Sequence, residues 1–74
     1  MLDSSPQQPD GVWVQATVAQ RHDNRWTAIT DAGVAIGVPD GVVRGFRALR
    51  PGQRVRVRLA HPDAATAVEA GPLA

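Results

Sequence analysis

Apolar and polar residues alternate with a period of two along much of the chain after residue 10. The pattern begins at Gly11, and one parity of the first segment collects the residues Val12, Val14, Ala16 and Val18. The opposite parity collects Trp13, Gln15, Thr17 and Ala19. Such alternation is typical of a strand with one buried face, and the polar residues 21–24 that follow predict a turn.

Two further strands are predicted in the middle of the chain. The second covers residues 25–30 and places Trp26 and Ile29 on opposite faces, so burial of Ile29 in the core would expose Trp26. A turn at residues 31–33 ends in Gly33, a residue suited to positive φ. The third strand, residues 34–38, is predicted to bury Val34, Ile36 and Val38.

The second half of the chain predicts two more strands. In the fourth, the apolar residues Val55, Val57 and Leu59 alternate with Arg54, Arg56 and Arg58. Pro51 and Gly52 precede it and predict a type II turn. The fifth strand, about residues 65–70, is weak because Val68 is its only strong β-former.

Residues 42–50 form the least regular stretch, and we expect a short helical turn or a structured loop that brings Phe46 and Leu49 together. Five short strands in 74 residues favour an all-β, five-stranded Greek-key β-barrel, because closure of the sheet removes its edges. We expect a disordered tail at 1–10, the domain at 11–70 and a C-terminal tail at 71–74.

Composition excludes several kinds of chemistry. The chain has no cysteine and only two histidines, His22 and His61, which we expect to be ordinary exposed turn residues. No nucleophile–base pair or metal set can be assembled, so we predict neither an enzyme nor a cofactor or metal. The chain has no apolar run of about 20 residues and no signal-peptide pattern, and a cytoplasmic location away from membranes is the default expectation.

All eight basic residues are arginines, and they fall within residues 21–58. Arginine makes bidentate contacts with phosphate and stacks on bases better than lysine does. A genome rich in G and C, which encodes Arg in place of Lys, is the alternative explanation of this composition.

Residues 45–55, Gly-Phe-Arg-Ala-Leu-Arg-Pro-Gly-Gln-Arg-Val, resemble the G-F-x-x-L-x-x-G-Q-x-V stretch of the cold-shock domain family. More loosely, residues 25–30 and 36–39 stand where that family has its two RNA-binding motifs. The resemblance covers about residues 11–70. It implies an OB-type barrel whose outer-face aromatics stack on unpaired bases of single-stranded nucleic acid.

The chain departs from the family at most of the aromatic positions. Only Trp26 and Phe46 keep a ring, whereas Ala28, Gly37 and Pro39 replace ring-bearing residues. Base–aromatic stacking contributes about 1–3 kcal/mol per base, so we expect weak binding.

The leading hypothesis is therefore weak, largely sequence-independent binding of single-stranded RNA or DNA. Stacking is assigned to Trp26 and Phe46, and phosphate attraction to Arg21, Arg25, Arg44 and Arg47. Three alternatives remain open. In each, a structural role replaces a binding role. Trp26 would be partly covered by the 42–50 loop, and Phe46 would fill the open end of the barrel. The arginines of the fourth strand would form a solvated outer face that discourages edge pairing.

The second hypothesis is a protein-interaction or dimerisation module on an OB scaffold that has lost nucleic-acid binding. A homodimer or another protein would then dock on an apolar face containing Trp13 and Trp26, beside the small residues Ala35 and Gly37.

Overall fold

A computed structural model describes residues 11–73, and their secondary structure is almost entirely β. The strands are β1 (Val12–Arg21), β2 (Arg25–Thr30), β3 (Ala35–Pro39), β4 (Arg54–Leu59) and β5 (Ala67–Gly71). A 3₁₀ helix, Asp40–Val42, follows β3. The predicted N-terminal tail, 1–10, lies outside the described residues.

The five strands form one antiparallel sheet in the order β3-β2-β1-β4-β5, and this sheet curls until its two outermost strands meet. The Gly37 amide of β3 donates a hydrogen bond of 2.8 Å to the Ala65 carbonyl oxygen, just before β5. A parallel bridge joins Gly37 to Thr66 at the same place. This topology confirms the predicted OB-type Greek-key barrel, with its short helical turn between the third and fourth strands.

Small β-branched and alanine side chains fill the inside of the curled sheet. Val55, Val57 and Leu59 of β4 are buried as predicted, and so are Ala16 and Val18 of β1. The remaining core residues are Ala28, Ile36, Val38, Leu49, Ala67 and Ala70. Because alanine and valine are short, the two walls of the barrel lie close together and the core is thin.

The buried face of β2 is the one that contains Ala28, whereas Ile29, on the opposite face, is 37% exposed. In β3, Ile36 and Val38 are buried as predicted, but the prediction that Val34 belongs to the core is wrong. Val34 is 54% exposed. It closes the turn after β2, where its carbonyl oxygen accepts a 2.9 Å hydrogen bond from the Thr30 amide.

The strand β5 differs from the expected one because it contains a bulge. Arg58 and Leu59 are consecutive in β4, but their partners in β5 are Glu69 and Ala67. Val68, between these partners, is therefore the additional residue. Ala67 and Ala70 therefore point inwards, and Val68, the expected β-former, is 41% exposed. The strand extends to Gly71, the first residue of the segment expected as a C-terminal tail.

The substitution Val57→Ala should lower the free energy of unfolding by about 1.5–3 kcal/mol, because it removes two methyl groups from a fully buried site. Val34→Ala is the matched control and should change stability by less than about 0.5 kcal/mol, since its side chain is exposed. Urea unfolding followed by circular dichroism measures both. Equal losses in the two variants would contradict the assignment of Val34 to the turn.

Candidate nucleic-acid interface

A β-bulge in β1 determines which side of the sheet its last residue faces. The cross-strand register passes from Val18 opposite Ala28 to Gln20 opposite Thr27, so Ala19 is the additional residue of β1. Unbroken alternation from Val18 would turn Arg21 outwards. The bulge shifts this parity, and Arg21 instead lies opposite Trp26, on the core-facing side of the sheet.

Arg21, Trp26 and Asp40 form a three-residue cluster where β1 and β3 end and β2 begins. The Arg21 guanidinium donates from Nη1 to Asp40 Oδ1 at 2.6 Å and from Nη2 to Asp40 Oδ2 at 2.9 Å. Its central carbon lies 5.4 Å from the centroid of the Trp26 ring, a cation–π distance. The Asp40 amide donates to the Asn24 carbonyl oxygen at 3.1 Å, which places the carboxylate beside the β1–β2 turn.

A cleft of about 400 Å³ opens beside this cluster, and we call it the Trp26–Phe46 cleft. Both aromatic side chains are half-buried and pack against the core. Leu49, which also lines the cleft, is buried, so the structure brings Phe46 and Leu49 to one place as expected. The other lining residues are Arg21, Asp40, Val43, Arg47 and Ala48.

The loop that carries Phe46 is anchored to β5. The Arg44 amide donates a 2.8 Å hydrogen bond to the Ala70 carbonyl oxygen. The next residue, Gly45, has a φ of +78°, and a Cβ atom there would lie 2.9 Å from Cδ of Pro72. Glycine therefore lets the loop turn sharply against the chain that follows β5, which holds Phe46 over the core.

The loop is fixed at its far end by the turn before β4. The Gln53 amide donates to the Arg50 carbonyl oxygen at 3.1 Å. Gly52 has a φ of +88°, as the predicted type II turn requires at that position. The Gly52 amide also donates to the Val18 carbonyl oxygen at 2.8 Å, so the turn is attached to β1.

The positions of the two aromatic residues differ from those that the cold-shock resemblance implies. That resemblance places Trp26 on the outer face, whereas the structure places it on the same side of β2 as the buried Ala28. Trp26 and Phe46 both pack against the core, and the cleft that they line is also lined by loop residues 47–49. Both residues therefore contribute to the core and also line the cleft.

The four arginines predicted to contact phosphate fall into two groups. Arg21 and Arg47 line the Trp26–Phe46 cleft. Arg25 lies outside the cleft in a groove beside Gly37, and the Arg44 guanidinium donates to the Gly41 and Val43 carbonyl oxygens at 2.9 and 3.2 Å. Among residues 11–73, the ion pairs do not involve Arg25, Arg44 or Arg47.

The arginines of β4 are engaged on the outer face of the sheet. Arg54 binds both oxygens of Asp31, at 2.7 and 3.1 Å, and Arg58 pairs with Glu69 at 3.2 Å. The Arg56 guanidinium stacks over the ring of Trp13 at 4.2 Å. All three arginines of β4 therefore contact neighbouring side chains of the domain. This favours a structural role for their charges over phosphate binding.

The two tryptophans do not share a face. Trp13 points outwards from β1 and is 40% exposed, whereas Trp26 points towards the core from β2. The apolar docking face expected to contain both residues therefore reduces to Trp13 and its neighbours.

Neither histidine belongs to a cluster of metal-binding side chains within residues 11–73. His22 lies 2.8 Å from the Thr27 hydroxyl through its Nε2 atom, and His61 is exposed in the turn before β5. The part of the chain that the structure describes contains no group of three His, Cys, Asp or Glu side chains able to hold a metal ion. Within the same range, no helix has the length and apolar character needed to cross a membrane.

Sequence reasoning missed Asp40 as a residue of the site. The segment Pro39-Asp40-Gly41 directly follows the predicted third strand and indicates only its end, and Arg21 precedes Asp40 by 19 residues. No local pattern marks such a pair. Its formation depends on the bulge at Ala19, which alternation does not reveal.

Comparison of the chain with protein-family models and with curated proteins finds no match.

The stability of the domain should depend on pH through Asp31 and Asp40. Hydrogen bonds from Arg54 and Arg21 lower the pKa of these carboxyls below its ordinary value, against a smaller opposing effect of desolvation. Because the folded pKa lies below the unfolded one, this stabilisation is present above about pH 4 and is lost as pH falls through the folded pKa.

Urea unfolding at pH 7 and pH 3 tests this dependence. The double variant D31N/D40N should lose less stability over that interval than the wild type, since neither carboxyl remains to be protonated. Equal losses in the two proteins would show that the pairs do not contribute.

Proposed function

We propose that this domain binds single-stranded RNA or DNA, weakly and with little sequence preference, at the Trp26–Phe46 cleft. The observation that carries the proposal is that two aromatic residues, Trp26 and Phe46, and two arginines, Arg21 and Arg47, line the same cleft. Aromatic platforms next to cations are the usual means of binding single strands, because every base has a π-face and every nucleotide a phosphate.

The size and burial of the cleft support weak binding. A volume of about 400 Å³ lies in the range of small-ligand sites and gives room for a nucleobase. However, Trp26 and Phe46 are half-buried, so neither ring is fully open to a base. The area available for stacking is smaller than on an open aromatic platform.

The charges around the cleft support attraction of a polyanion. The loop beside it contributes Arg44 and Arg47, which lack a carboxylate partner within residues 11–73. From residue 11 onwards the chain has eight arginines and five acidic residues, a net charge of +3. Such a small excess attracts nucleic acid at low salt and is easily screened.

Protein–protein association, including homodimerisation, is the second candidate function. The observation that favours it is the Trp13–Arg56 stack, because Trp13 is 40% exposed on the outer face of the sheet. Tryptophan and arginine are enriched at protein interfaces.

Trp26 fluorescence in a Trp13→Phe variant tests nucleic-acid binding, since Trp26 is then the only tryptophan in the chain. Addition of an eight-nucleotide oligo-dT should quench this fluorescence. With about two phosphate contacts, affinity should fall roughly sevenfold between 50 and 200 mM salt, because counterion release gives a slope of about −0.7 per contact. Quenching that is independent of salt would contradict the electrostatic part of the proposal.

Phe46→Leu, made in the same background, tests stacking while keeping an apolar side chain against the core. Loss of one stacked base should weaken binding at least about fivefold. Arg50→Gln is a control at an exposed position outside the cleft and should have a smaller effect. Dimerisation that Trp13→Asp abolishes, in a protein that shows no quenching by the oligonucleotide, would favour the second candidate.

A further inference from the structure

The guanidinium of Arg21 presents two parallel N–H donors towards the cleft, and Asp40 accepts both. The two hydrogen bonds measure 2.6 and 2.9 Å and join separate oxygens of the carboxylate. A phosphodiester also presents two oxygens in this arrangement, and bidentate binding of carboxylate or phosphate is the characteristic use of an arginine fork. The Asp40 carboxylate thus makes with Arg21 the bidentate, negatively charged contact that a phosphodiester would make.

We infer that the Arg21 fork is a phosphate subsite of the Trp26–Phe46 cleft and that Asp40 occupies it in the unbound domain as a resident competitor. The inference rests on the proposed function. Because the central guanidinium carbon lies 5.4 Å from the centroid of the Trp26 ring, the subsite lies next to the ring on which a base would stack. A single nucleotide could then place its base and its phosphate at adjacent groups.

The pair is suited to exchange because it is open to solvent. The side chains of Arg21 and Asp40 are 43% and 50% exposed. Exposed ion pairs contribute little to stability, so an incoming anion displaces the carboxylate at small cost. Bound phosphate would nevertheless lie close to the released carboxylate, and this like-charge repulsion lowers affinity.

The Asp40 side chain has no capping role that would explain its presence. It begins the 3₁₀ helix, but no side-chain hydrogen bond caps that helix. The backbone amide of Asp40 makes the contact with Asn24, and a change of side chain leaves this contact intact. Asp40→Asn therefore removes the competing charge while retaining the backbone geometry.

The chain supplies a matched control in the pair formed by Asp31 and Arg54. This pair is also bidentate, at 2.7 and 3.1 Å, and its exposed fractions are 59% for Asp31 and 41% for Arg54. It lies on the outer face and does not line the Trp26–Phe46 cleft. Asp31→Asn changes the net charge by the same amount as Asp40→Asn, without releasing a group in the cleft.

The test compares the affinity of the wild type, D40N and D31N for a fluorescein-labelled eight-nucleotide oligo-dT, measured by anisotropy. At 50 mM salt, D40N should bind roughly three- to fivefold more tightly than the wild type, since release of an exposed pair is worth up to about that factor. D31N should change affinity less than about 1.5-fold. The salt slope should be about the same in the wild type and D40N, because the phosphate binds Arg21 in both complexes.

The double variant R21Q/D40N separates the subsite from the removal of a negative charge. If Arg21 holds the phosphate, this variant should lose the gain seen in D40N. An unchanged gain would show that Asp40 acts only by repulsion and would overturn the subsite, as would equal gains in D31N and D40N. Circular dichroism melting controls for folding of each variant.

The outcomes also distinguish this inference from the proposed function. Binding by the wild type that D40N leaves unaltered would overturn the subsite and leave the proposed function standing. No binding by the wild type or by any variant would overturn both.

Discussion

Burial of one face of a curled five-stranded sheet is the constraint on which the rest of the structure depends. The chain has no cysteine, and its core is built from valine, alanine and a few larger residues. Such side chains fill only a narrow interior, so the sheet must curl until Gly37 of β3 meets Ala65, just before β5. The half-buried rings of Trp26 and Phe46 pack against this core and enlarge it beyond the buried strand residues.

The same constraint produces the candidate site. Phe46 is carried by a loop that must return from the 3₁₀ helix to β4, and packing of this loop against the core brings its ring beside Trp26. The bulge at Ala19 then turns Arg21 towards these rings. Two aromatic residues that contribute to folding thereby border a cleft with cationic groups. Their dual role explains why the geometry favours weak binding, since rings that support the core cannot be fully open to bases.

The local pattern of apolar and polar residues predicts much of the fold, but it does not predict much of the candidate site. Alternation identified the buried residues of β1 and β4, and the turn at Pro51–Gly52 followed from residue chemistry. Alternation failed at Val34, where a turn ends, and it did not predict the bulge that leaves Val68 exposed in β5. In β2 it left open which face is buried. The Arg21–Asp40 pair depends on a bulge and on long-range packing, which no local pattern encodes.

Nuclear magnetic resonance gives the most direct test of the claim that single strands bind at the Trp26–Phe46 cleft. The two indole N–H groups, of Trp13 and Trp26, give separate signals that report on opposite faces of the sheet. On titration with an eight-nucleotide oligo-dT, we expect shifts in the Trp26 indole and in the backbone amides of residues 44–47, with the Trp13 indole unchanged. Shifts confined to Trp13 and its neighbours, or no shifts at millimolar oligonucleotide, would contradict the claim.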